Sequence, residues 1–98
     1  MRIVARGTQV RFSTANADAR APLDDWYDVT RYAAWSKPQD VVETFGKRVS
    51  ILPNNRVVFD IGGNKYRLVA VILYRSQILY VRFIGKHAAY DRIDATTI

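Results

Sequence analysis

The apolar periodicity of this chain changes once, near Arg48, and that single change constrains the fold most. Before it, Trp26, Val29 and Ala33, with Tyr27 and Tyr32 beside them, recur at three- and four-residue spacing, the mark of a helix with one broad apolar face. After it, Arg56 to Ile61, Asn64 to Tyr74 and Ile78 to Ile84 are rich in β-branched and aromatic residues. Turn-forming clusters separate them: Pro53-Asn54-Asn55, Gly62-Gly63 and Arg75-Ser76-Gln77. Helices gathered ahead of a run of strands predict an α+β fold. Two or three helices should cover one face of an antiparallel sheet, leaving the other face free to bind a partner.

Within the first half, Ile3-Val4 suits a short opening strand. Gly7-Thr8 starts a helix that runs to Ala19, with Val10, Ala15 and Ala19 as its weak apolar positions, and Ala21-Pro22 is expected to break it. A second helix spans Asp24 to Trp35, its first turn supplied with carboxylates. Pro38 opens a short third helix, capped by Ser36 or Lys37, that ends at Gly46. Ala88 to Ile93 forms a helical turn, and the remaining residues an edge strand or a frayed tail. The 98 residues leave room for one core, so the prediction is a single domain over residues 1–98.

Composition excludes several chemistries. The chain has no cysteine and one histidine, so neither a cysteine zinc site nor a histidine metal centre is expected, and no cofactor is implied. The opening residues are too short and polar for a signal peptide, and no apolar run approaches the roughly 20 residues that span a bilayer. A soluble, cytoplasmic protein without membrane contact is expected. Net charge is +6, and residues 50–98 carry +4 of it. A bias of this sign favours a polyanion such as nucleic acid.

The basic half concentrates its chemistry in two places. One is Gly62-Gly63-Asn64-Lys65-Tyr66-Arg67, and the other is Gly85-Lys86-His87-Ala88-Ala89-Tyr90-Asp91. A turn centred on Ser76 places Arg67 near Gly85 and Lys65 near His87, so the two motifs form one site, with Arg82 on the same side. Cutting RNA without a metal needs a base for the 2′-hydroxyl, an acid for the leaving 5′-oxygen and cations for the phosphate. His87 suits either proton role, because imidazole titrates near neutral pH. Lys65, Arg67, Arg82 and Lys86 can hold the phosphate, the arginines bidentately. Tyr90 can donate a proton or stack on a base. Singly, each of these residues has an ordinary structural reading; their concentration points to function.

The segment Arg56 to Leu68 resembles the central signature of the HigB-type toxins of bacterial toxin–antitoxin systems, and Val81 to Asp91 resembles their C-terminal signature. The helical stretch from Asp24-Asp25-Trp26 to Trp35, and Asp40-Val41-Val42, also fit. The resemblance implies the RelE/ParE-like toxin fold, with an N-terminal strand and a three-stranded C-terminal meander in the sheet. It further implies a metal-independent mRNA interferase that cuts mRNA in the ribosomal A site. A HigA-type helix-turn-helix antitoxin would neutralise it and carry it to operator DNA. On the family pattern, Arg67, His87 and Tyr90 are the expected catalytic residues. Asn64 on the same pattern, Lys65 and Arg82 close beside it, and Lys86 by its charge are the expected RNA- and phosphate-binding ones.

One position departs from the pattern. The residue before the histidine is commonly threonine in that family, and here it is Lys86, which adds positive charge beside the phosphate site. The same fold also hosts toxins that inhibit DNA gyrase, and a form that binds RNA or antitoxin without cutting is a further alternative. His87 and Tyr90 favour RNA cleavage.

Overall fold

Among the described residues, five strands and four helices follow one another along the chain, and the break near Arg48 separates most of the helix from most of the sheet. The structure, a computed structural model, describes residues 1–5 and 7–98, with the side chains of residues 8–10 outside the described set. The apolar position expected at Val10 falls there. The order is β1 (Arg2–Val4), α1 (Thr8–Ala15), a 3-10 turn (Ala17–Ala19), α2 (Arg20–Arg31), α3 (Pro38–Phe45), a second 3-10 turn (Gly46–Arg48), β2 (Val49–Ile51), β3 (Arg56–Ile61), β4 (Tyr66–Leu73), β5 (Ile78–Lys86) and α4 (His87–Tyr90).

The strands form one sheet in the order β1-β5-β4-β3-β2. The expected meander is β3-β4-β5, antiparallel throughout. Two features refine it. Val49–Ile51 adds an antiparallel strand outside β3, and β1 pairs with β5 in parallel, so the sheet is mixed. A parallel neighbour requires a long crossover, and here everything between the two strands supplies it.

Alternation along the strands sends Val57, Phe59, Ile61, Tyr66, Leu68, Ala70, Ile72 and Leu79 to one face, where they pack with Leu23 and Trp26 of α2 and Val41 of α3. Trp26 and Phe45 both meet Phe59 edge-on, with centroids 5.4 and 5.2 Å away. Each such side chain stabilises the fold by roughly 1.5–3 kcal/mol through its burial.

Several local expectations are corrected. Pro22 does not break a helix. It lies in the first turn of α2, where a missing N–H costs no intrahelical bond. The break comes earlier, at Asn16, whose side-chain Nδ2 and backbone N–H both donate to the Phe12 carbonyl. At its other end α2 stops at Arg31, and the Met1 amino group donates to the carbonyls of Thr30, Arg31 and Ala33. Trp35 is therefore core but not helical, and its Nε1 donates to Thr44 Oγ1 at 2.9 Å. Asn64 and Lys65 belong to a four-residue loop rather than to a strand, because Ile61 pairs with Tyr66. Gly62 and Gly63 carry φ of +65° and +70°, which glycine adopts without strain.

The second sheet face is not free. Residues beyond α4 fold back across it, where Ala95, Ile93 and Ile98 pack on Val58, Val69 and Phe83. Asn54 donates to the Thr96 carbonyl and Arg56 to the Ile98 carbonyl, fastening this tail at the far end. Among the described residues, no helix is long and apolar enough to cross a membrane.

Candidate active site

The register of β4 and β5 creates the site. Arg67 pairs with Gly85 and Tyr66 with Lys86, so β5 ends beside the start of β4. The chain then turns into α4 at His87, which puts His87 above Arg67. The Gly62–Lys65 loop brings Asn64 to the same corner from the other side.

Arg67 is the hub. Its Nε lies 3.0 Å from Asp60 Oδ1 on β3 and 3.2 Å from His87 Nε2. Its Nη2 donates to Asn64 Oδ1 at 3.4 Å. Its guanidinium carbon lies 5.2 Å from the centre of the Tyr90 ring, a cation–π contact. Tyr90 in turn packs on Phe83, with centroids 6.5 Å apart.

His87 Nε2 also lies 2.9 Å from Asn64 Oδ1. The same nitrogen thus has an acceptor on one side and a donor on the other. With a proton on Nε2 it donates to Asn64; without one it accepts from Arg67. Nε2 therefore finds a partner whether or not it carries the proton.

The other expected residues lie elsewhere. Lys65 pairs with Asp18 of the first 3-10 turn, which also accepts a hydrogen bond from the Tyr66 hydroxyl. These contacts hold the Asp18 carboxyl below its ordinary titration range, chiefly through Lys65, and raise Lys65 and Tyr66. Lys86 is exposed at the residue preceding α4. Arg82 falls at a β-bulge, since Val69 pairs with Phe83 and Ala70 with Val81. It is exposed and lines a groove with Arg56, Val71, Leu73 and Tyr80, away from the His87 corner.

Two side chains that hold the expected site residues were missed by sequence reasoning. Asp60 holds Arg67, and a signal for it existed: pairing across the Gly62–Lys65 loop sets Asp60 opposite Arg67. Asp18 had no signal, because 47 residues separate it from Lys65. Among the described residues, no three metal-ligating side chains converge.

Comparison with known proteins places the chain among toxins of toxin–antitoxin systems. The model of the HigB toxin family, described as the RelE-like toxic component of a toxin–antitoxin system, matches residues 19–93. An mRNA interferase HigB of Escherichia coli O6:H1 is 29% identical over 72 residues, which span 72% of this chain and 70% of that protein. The mRNA interferase toxin HigB of Escherichia coli strain K12 is 44% identical over 34 residues, 35% of this chain and 33% of that protein. The family match takes in α2, the whole β2–β5 sheet and α4, and so every residue of the Arg67 corner. On that match the chain belongs to the HigB toxin family, the RelE-like toxic components of toxin–antitoxin systems.

Proposed function

We propose that this protein is an mRNA interferase, an endoribonuclease that cuts mRNA without a metal. The observation that carries this reading is the contact of one guanidinium, that of Arg67, with Asn64, His87 and Tyr90 together. The relatives named as mRNA interferases support it.

In the proposed step, the RNA 2′-hydroxyl loses its proton and its oxygen forms a bond to phosphorus. The P–O5′ bond breaks, and the leaving 5′-oxygen takes a proton. Arg67 stabilises the charge that builds on the phosphate, in a geometry already fixed by Asp60. His87 and Tyr90 are the proton-transfer groups, and Asn64 orients the imidazole. The products are a 2′,3′-cyclic phosphate and a 5′-hydroxyl. Residues 1–98 act as one domain in the cytoplasm, on mRNA in the ribosomal A site. The antitoxin is a HigA-type helix-turn-helix protein, which also links the toxin to operator DNA.

The test is expression of wild type and an Arg67→Ala, His87→Ala double variant in bacteria, with mRNA ends mapped by primer extension. Wild type should stop growth and produce new ends within codons, and the double variant should do neither. Equal growth arrest by both overturns the assignment of the site. Arrest without new mRNA ends, joined to loss of gyrase supercoiling, overturns RNA as the target.

A further inference from the structure

A cleft of about 470 Å³ lies on the other flank of α4, outside the Arg67 corner. Its walls are Phe12 of α1, Asn16 just beyond it, Ile84 to Lys86 of β5, and Ala88, Ala89 and Arg92. Helical geometry explains the division. His87 and Tyr90 share one face of the α4 turn, while Ala88 and Ala89 share the opposite face with Arg92. The cleft and the reactive corner are therefore separated by the thickness of a single helical turn.

We propose that this cleft is a subsite for the nucleobase next to the scissile phosphate. The inference rests on the reading of the protein as an RNA-cleaving toxin. Four observations support a nucleotide as the occupant. The volume lies in the range of small-molecule sites, and the walls are mainly apolar with one aromatic ring, as a stacked base requires. Lys86 and Arg92 are exposed at the rim, and neither has a side-chain hydrogen bond or ion pair among the described residues, so both charges are available to backbone phosphates. Asn16 donates through Nδ2 to Phe12, which leaves its Oδ1 as an acceptor for a base edge. Finally, β1 pairs with Ile78, Leu79 and Tyr80, so among the described residues the outer edge of β5 has no strand partner from Val81 onward and offers peptide groups to a base.

Lys86 gains a role by this placement. It stands between His87 and the cleft, where a cation bridges the scissile phosphate and the next one. The small side chains of Ala88 and Ala89 keep the cleft open.

The experiment measures binding of a fluorescent single-stranded RNA oligonucleotide in a salt series. It compares wild type, Arg92→Ala and Ala88→Trp, with folding of each checked by circular dichroism. Arg92→Ala should weaken binding about tenfold, the worth of one stacked base or phosphate contact. It should also lower the slope of log affinity against log salt by about 0.7, the value for one phosphate contact on a single strand. Ala88→Trp, which fills the cleft, should weaken binding without changing that slope.

Wild-type binding that neither folded variant alters overturns the subsite and leaves the cleavage reading standing. Arginine-dependent binding by a protein that cuts no RNA supports the subsite and overturns the cleavage reading. Variants that lose a helix-turn-helix antitoxin while keeping RNA show that the cleft docks protein, and overturn the proposal.

Discussion

Arg67 and Gly85 face each other across β4 and β5, and the absence of a side chain at Gly85 is what seats the aromatic pair beneath the guanidinium. A Cβ there would meet Phe83 Cζ at 2.8 Å and Ala89 Cβ at 3.4 Å. Phe83 occupies that space and packs on Tyr90, whose ring contacts Arg67. Gly85→Ala should therefore push Phe83 aside and shift Tyr90, although the backbone at 85 needs no glycine conformation. We expect a loss of about 1–3 kcal/mol in urea unfolding, as for other overpacked sites. Cleavage should fall further than this stability loss explains. Unchanged unfolding and cleavage would show that Phe83 yields freely.

Asp60 and Arg67 form an ion pair that is largely buried, with side-chain exposures of 23% and 21%. Asp60→Ala leaves that guanidinium without its counterion and should cost about 1–3 kcal/mol. The Asp60→Ala, Arg67→Ala double variant should cost less than the two single losses added together. A coupling of at least about 0.5 kcal/mol is expected for residues in contact. Chemical denaturation of the four proteins measures it.

Arg67→Lys keeps the charge and loses the fork. A lysine cannot reach Asp60, His87 and Asn64 with donors in one plane, nor lie flat against Tyr90. Cleavage should drop at least about tenfold, or 1.4 kcal/mol of transition-state stabilisation, while the melting curve stays close to wild type. Lysine supporting full cleavage would mean that only the charge matters.

Asp18 makes acid stability a readout of the Lys65 contact. Its carboxyl is held below the ordinary value of 3.8, first by the Lys65 hydrogen bond and then by that of Tyr66. A lowered folded-state pKa contributes stability that is present above 3.8 and is lost as pH falls through the folded value. Wild type should exceed Asp18→Asn in stability at neutral pH, and the gap should close below about pH 3.8. Urea unfolding across pH 2 to 7 tests this, and a gap that does not change with pH would remove Asp18 from the account.

The tail beyond α4 should also matter for stability. Ala95 is buried against Val58 and Val69. Ala95→Asp places an unpaired carboxylate there and should cost about 3 kcal/mol or more. Thermal unfolding gives the loss, and retention of wild-type stability would mean that the tail detaches readily from the sheet.

Much of this is legible in the sequence. The three strand runs and their turns predicted β3, β4 and β5, because alternation and turn residues are local properties. Arg67 does pair with Gly85, as a turn centred on Ser76 places it, but next to the turn Leu73 pairs with Ile78, one residue off that register, and the bulge between Val69 and Ala70 restores it. Arg82 escaped the same reasoning. It is itself the unpaired residue of that bulge, and bulges leave little trace in a sequence. Lys65 was expected beside His87, but Asp18 claims it from a segment distant in the chain.

By itself, then, the sequence determined the α+β order, the antiparallel pairing of β4 with β5 and the joining of two basic motifs at one corner. Each depends on contacts within a hairpin, where separation along the chain sets separation in space. Tertiary structure alone decided that Asp18 takes Lys65 and that the tail covers the second sheet face. Those contacts depend on how separate elements pack, and packing is chosen by the whole core at once.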